Sequence, residues 1–418
     1  MSDAADRFRE LGDLAGLGEA LRRRGMVEIF GNRILDAETS AEAALAAFEE
    51  VGDRSGLAWA SQNLAWTAFI SGRPDEADQR LQVAIELFSD LVDTQGLAWS
   101  LGLLAWVRFQ QGRVAEAQAL GEQVLDEARA RSDPWATAMM LMLVASVRLW
   151  SGHTDEAVKM SEQGLRTFTS LGDRYGGAQA AAVLGRALVM SGRIEEGFAL
   201  LAKAGSPEGS GPAEGDGFPA RYARLAAALQ IGEPHRGATV LQDIEIINGA
   251  GLGGDDAAAV LAAASLMAGD VASAERYVAS ARTHDVDPNV MAVHALTAAA
   301  SGSGQAGALA DRIDEAAGAT YLDRATANLA AALEAAAGDA GAAEAQRRLS
   351  VARAAVQGTE DRVAKAVVEL GAAALSSRLA LPDAEEAAAR AEHLMAKLGI
   401  DPTGWNRVFA LATRAVPT

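Results

Sequence analysis

Six of the seven tryptophans in this 418-residue chain lie between positions 59 and 150: Trp59, Trp66, Trp99, Trp106, Trp135 and Trp150. An indole buries much apolar area and freezes few rotamers, so such a cluster suits recognition of an apolar surface rather than bond-making. Residues able to make or break bonds are sparse. The four lysines, Lys159, Lys203, Lys365 and Lys397, never follow a glycine, so no phosphate-cradling P-loop is present. His153, His235, His284, His294 and His393 never pair at metal-binding spacing, and neither a G-x-S-x-G elbow nor an H-E-x-x-H helix occurs. Gly249, Gly251 and Gly254 satisfy G-x-G-x-x-G, but they lie between helical patterns and lack the strand that a dinucleotide site needs. With no cysteine there is no thiolate chemistry and no disulfide. The expectation is a non-enzyme without metal or cofactor.

Charge narrows the partners. Thirty-seven basic against 56 acidic side chains give −19, which repels nucleic acid. The first residues, MSDAADRFRE, contain no apolar signal segment. The most apolar run, Ala136 to Val147, ends at Arg148, well short of the ~20 residues that span a bilayer. A cytoplasmic protein that does not enter membranes is expected.

The elements that position the tryptophans repeat every forty residues. SGRPDEA (71–77), QGRVAEA (111–117), SGHTDEA (151–157) and SGRIEEG (191–197) keep step with Asp13, Asp53, Asp93, Asp133 and Asp173. So do the small residues Ala65, Ala105, Ala145 and Gly185, and the series Phe48, Phe88, Ala128 and Phe168. Each period reads as two helices. Residues 57–70 fit a helix with a buried face, Gly-Arg-Pro interrupts at 72–74, and 77–91 again recurs at three- and four-residue steps. Pro74 suits a first helical turn, Asp75 and Glu76 suit the positive end of its dipole, and the aspartates suit N-caps. Small residues mark the close crossing of the paired helices.

These residues resemble the tetratricopeptide repeats in a forty-residue form. Small residues twelve apart, Ala65/Ala77, Ala105/Ala117, Ala145/Ala157 and Gly185/Gly197, match that family's pair, and Leu64, Leu104 and Leu184 match its preceding leucine. The register is also similar to the carboxy-terminal helical region of large actinobacterial regulators that carry ATPase, nucleotide-cyclase or LuxR/MalT-type modules. The resemblance implies an all-α solenoid of nine or ten stacked hairpins. Residues 1–204 form the regular repeats, the Gly/Pro/Ser-rich stretch 205–218 a hinge, and 219–418 looser repeats ending in capping helices.

The same resemblance implies that the first helix of each hairpin lines a concave wall. Stepping by forty puts Trp59, Trp66 and Phe69, then Trp99, Trp106 and Phe109, then Met139, Met142 and Trp150, and finally Arg186 on that wall. One reading makes it a groove for a peptide or protein segment, with Arg22, Arg23 and Arg186 placed to clamp an acidic group. The other leaves the rings as filler between neighbouring first helices. The first makes the chain a regulatory interaction scaffold; a small-ligand sensor using the same groove is the alternative.

Overall fold

An aspartate starts each first helix. The carboxylates of Asp13, Asp53, Asp93, Asp133 and Asp173 accept the backbone N–H three residues on, at 2.9–3.0 Å. Each satisfies one of the donors that a helix start leaves open. The computed structural model describes residues 2–31, 33–205, 218–249, 255–284, 286–337 and 341–414. Among them are 22 α-helices, one short 3-10 turn and no strand, and the fold is an all-α helical-repeat solenoid. All but the end residues of the expected hinge at 205–218, and the loop at 250–254, lie outside the described residues.

The chain divides into two compact units, Met1–Val147 and Arg148–Thr418. The first holds α1 (Ser2–Leu11), the pairs α2 (Leu14–Phe30)/α3 (Ile34–Val51), α4 (Arg54–Ile70)/α5 (Pro74–Asp90) and α6 (Thr94–Gln110)/α7 (Val114–Ala130), and most of α8 (Pro134–Trp150). The second begins with α9 (Thr154–Leu171), then α10 (Arg174–Met190)/α11 (Ile194–Ala204), α12 (Phe218–Ile231)/α13 (Ala238–Gly249) and α14 (Asp255–Ala268)/α15 (Val271–Ser280). It continues with α16 (Pro288–Ser301)/α17 (Ala306–Glu315), α18 (Tyr321–Ala337)/α19 (Ala342–Gln357), α20 (Arg362–Arg378)/α21 (Ala384–Leu398) and α22 (Thr403–Ala412). Most helices pack mainly on helices one or two places away in the chain, as stacked hairpins require.

The phenylalanine series explains how hairpins stack. A side chain added at Gly56, Gly96 or Gly176 would come within 2.2–2.4 Å of the ring of Phe48, Phe88 or Phe168, so glycine is the only residue each ring admits. Where the ring is missing, at Ala128, the glycine is missing too, and Ala136 stands in its place. Ring and glycine are present or absent together. Close helix crossings are equally tight: a Cβ on Gly197 would meet the carbonyl oxygen of Gly185 at 2.7 Å.

The second unit also closes over long chain distances. Helix α20 touches α10 and α12, and α22, expected as an end cap, packs against α14, α16, α18 and α20. The Trp405 indole N–H donates to the Gln230 carbonyl at 3.0 Å, and Arg407 donates to the Met267 carbonyl at 2.7 Å.

Candidate functional site

Residues forty apart on α4, α6 and α8 occupy one face of successive first helices, and that face gathers the rings. Trp66, Trp99, Trp106 and Met139 line a single cleft together with Trp135 and Met140. Its hollow measures about 410 Å³, the solvent at its open mouth included, which is room for an apolar side chain. Arg131 is the single charged residue on its lining.

The other expected wall residues support or seal the cleft. Phe69 and Phe109 flank Trp106, with ring centroids 6.5 and 6.4 Å away. Trp59 meets Phe88 edge-on at 4.9 Å, with the Arg22 guanidinium 5.6 Å from its own centroid. Met142 is only 2% exposed and Trp66 9%, so Met142 is a core residue and Trp66 shows the cleft little more than an edge. Some rings fill seams, while Trp99, Trp106 and Met139 are half-buried and keep some exposed surface.

Trp135 was not among the expected wall residues, yet its ring stacks on Trp99 at 4.9 Å and 15°. The two are 36 residues apart, one helical turn short of the repeat, so Trp135 lies on the same face as Met139, four residues on. The i,i+4 relation to Met139 was the available signal. Trp106 also carries an unmet demand: its indole N–H is buried and has no hydrogen-bond partner. A buried donor left unmade is costly.

The expected clamp is distributed differently. Arg22 and Arg23 both hydrogen-bond Glu19, at 2.8 and 2.5 Å, and the bonds from Arg22 lead in holding that carboxyl down at about 2. Their charges are already matched. Trp150 and Arg186 belong to the second unit, where the guanidinium lies 5.1 Å from the indole centroid. There Arg186 faces Tyr222, Tyr321 and Asp361, a group with no common repeat register. Asp361 is fully buried; its carboxylate accepts from the Ala364 N–H at 2.9 Å, the Tyr321 hydroxyl at 2.8 Å and the Gln230 amide at 3.2 Å. Burial pushes it up to about 6 against the pull of these bonds and of Arg186. His153, at the turn before α9, is exposed. Among the described residues no three metal-ligating side chains converge, and no helix is long and apolar enough to cross a membrane.

Residues 16–90 match the tetratricopeptide-repeat family model. No curated protein matches the chain. Among solved structures, a Rap protein complexed with competence and sporulation factor aligns at TM-score 0.51 and 14% identity, over 63% of this chain and 72% of that one. That similarity is one of fold. The Naa15/Naa10 structure bound to HypK-THB aligns at TM-score 0.20 and 11% identity, over 94% of this chain and 87% of that one.

Proposed function

We propose that the cleft of α4, α6 and α8 docks an apolar segment of a protein or peptide, which makes the chain a non-catalytic, regulatory interaction module. The observation that carries this reading is the exposed ring surface of Trp99 and Trp106 around a cleft whose one unmet polar group is the Trp106 N–H. An extended or helical segment supplies what that wall lacks, an apolar side chain for the hollow and a main-chain carbonyl for the indole. Phe69 and Phe109 hold Trp106 in place, Trp135 holds Trp99, and Trp66 forms the floor. The net charge of −19 argues against nucleic acid as the partner.

The match of residues 16–90 to tetratricopeptide repeats and the fold shared with a Rap protein complexed with a factor support docking. The resemblance to actinobacterial regulators supports a role in controlling another module. The size of the hollow, about 410 Å³ with its open mouth, lies within the range of small-molecule sites and favours a second reading in which a small apolar metabolite fills it. Selection of displayed peptides on the full chain tests the first reading. Apolar sequences should emerge, and Trp66→Ala with Trp106→Ala should abolish their binding while far-UV circular dichroism stays helical. If the double variant unfolds, the rings are only core and docking fails. A thermal shift with small apolar metabolites and no selectable peptide would favour the sensor.

A further inference from the structure

The second unit contains a cation without a counterpart. Arg186 rises from α10 over the Trp150 indole, and among the described residues neither a hydrogen bond nor an ion pair engages its guanidinium. Its Nε–H is buried. Its neighbours come from three other helical segments, Tyr222 on α12, Tyr321 on α18 and Asp361 at the start of α20. Arg186, Trp150, Tyr222, Tyr321 and Gln230 are all half-buried, so solvent still reaches the group.

Asp361 looks like the natural partner, but its acceptors are taken. One oxygen receives the Ala364 N–H; the other receives the Tyr321 hydroxyl and the Gln230 amide N–H, and no ion pair to Arg186 forms. Turning the Gln230 amide toward Asp361 leaves its own Oε1 buried and unpartnered. The group therefore offers unpaired guanidinium donors and one unpaired amide acceptor. A buried N–H left without a partner is costly, so its retention points to something bound.

We propose that Arg186 and its neighbours bind a small carboxylate that carries an adjacent hydroxyl or amine. The planar guanidinium fork matches a carboxylate edge, and the Trp150 ring lies 5.1 Å from the guanidinium carbon. A single guanidinium balances a monoanion. A phosphate dianion would bring excess negative charge beside Asp361. The ligand's hydroxyl or amine satisfies Gln230 Oε1. This site lies wholly within Arg148–Thr418 and is separate from the aromatic cleft, so failure here leaves the docking reading untouched.

Thermal unfolding of the full chain tests it, with glycolate, acetate, inorganic phosphate or sodium chloride at matched ionic strength. Glycolate should raise Tm saturably, with an apparent Kd about fivefold below that of acetate, the worth of one added hydrogen bond. Arg186→Gln should lose both responses yet unfold no earlier than wild type in buffer alone, because an unpaired cation has been removed. Gln230→Met should keep the acetate response and lose the preference for glycolate. If Arg186→Gln does not fold, the wild-type arginine Nε–H proton resonances decide. One that moves saturably with glycolate and not with chloride supports the site, and an unchanged spectrum overturns it. A stronger response to phosphate than to either carboxylate, an equal response in Arg186→Gln, or no saturable response in wild type also overturns it.

Discussion

The two units share the helical hairpin and differ in how their acids are held. In Met1–Val147 the shifted carboxyls are pulled down. Bonds from Arg22 do this at Glu19; at Asp78 burial pushes up, but the bonds from Arg108 and Gln82 outweigh it. In Arg148–Thr418 hydrogen bonds likewise lower Asp255, Asp270, Glu344 and Asp401, but burial wins at Asp256, Asp323, Glu334 and Asp361, which are raised. The difference follows from architecture. A strictly repeated stack buries mainly apolar seams and pairs its acids with arginines, even the buried Glu28 with Arg24, whereas helices that close over long distances trap polar groups between them.

The seams should show the largest effect. Phe88→Ala removes a fully buried ring and should cost about 3–5 kcal/mol in urea unfolding. Gly96→Ala should also destabilise, because its Cβ would sit 2.3 Å from that ring. The two together should cost clearly less than their sum, since Ala128 and Ala136 already show the paired exchange; additive costs would disprove the ring–glycine coupling.

Acidity separates the units next. Folded Asp361 keeps its proton up to about 6, while the unfolded carboxyl releases it near 3.8. Between those values the native state binds more protons, so stability falls as pH rises, on the order of 3 kcal/mol across the window. Urea midpoints reported by Trp405 should therefore increase from pH 7 to pH 5, and Asp361→Asn should flatten the increase. Glu19 works with the opposite sign. Its stabilisation is present above 4.5 and lost as pH falls toward about 2, an effect that Glu19→Gln removes. Identical pH profiles for both units would break the comparison.

Two smaller changes sharpen it. Asp93→Ala deletes the cap bond to the Gly96 N–H and should cost about 1 kcal/mol by thermal unfolding. Val92 occupies a left-handed turn, at φ 55°, where the equivalent positions Gly12, Gly52 and Gly172 carry glycine. Val92→Gly should stabilise by about 0.5 kcal/mol, the relief of β-branched strain less the entropy glycine adds to the unfolded chain.

Much of this was legible before any coordinates. The aspartate caps, the Gly-Arg-Pro turn, Pro74 at the start of α5 and the Ala65/Ala77 crossings all sit where a forty-residue register puts them. Of the expected wall residues, Trp66, Trp99, Trp106 and Met139 come together in the cleft. Met142 does not, because a face shared by successive helices is partly consumed by the contact between them. Trp135 escaped notice because its partner, Trp99, lies 36 residues away rather than forty. The forty-residue step had placed Trp150 and Arg186, but nothing in it joined them to Tyr222 on α12 or to the Tyr321–Asp361 pair of the looser repeats.

The amino-acid order alone determined the hairpins, their period and the small residues at their crossings, because each of these depends on neighbours within one repeat. Only the tertiary structure decided which rings keep a surface, where α22 docks and how four distant helical segments surround one guanidinium. Those outcomes depend on how small per-repeat rotations add up along the stack, and no single repeat encodes that sum.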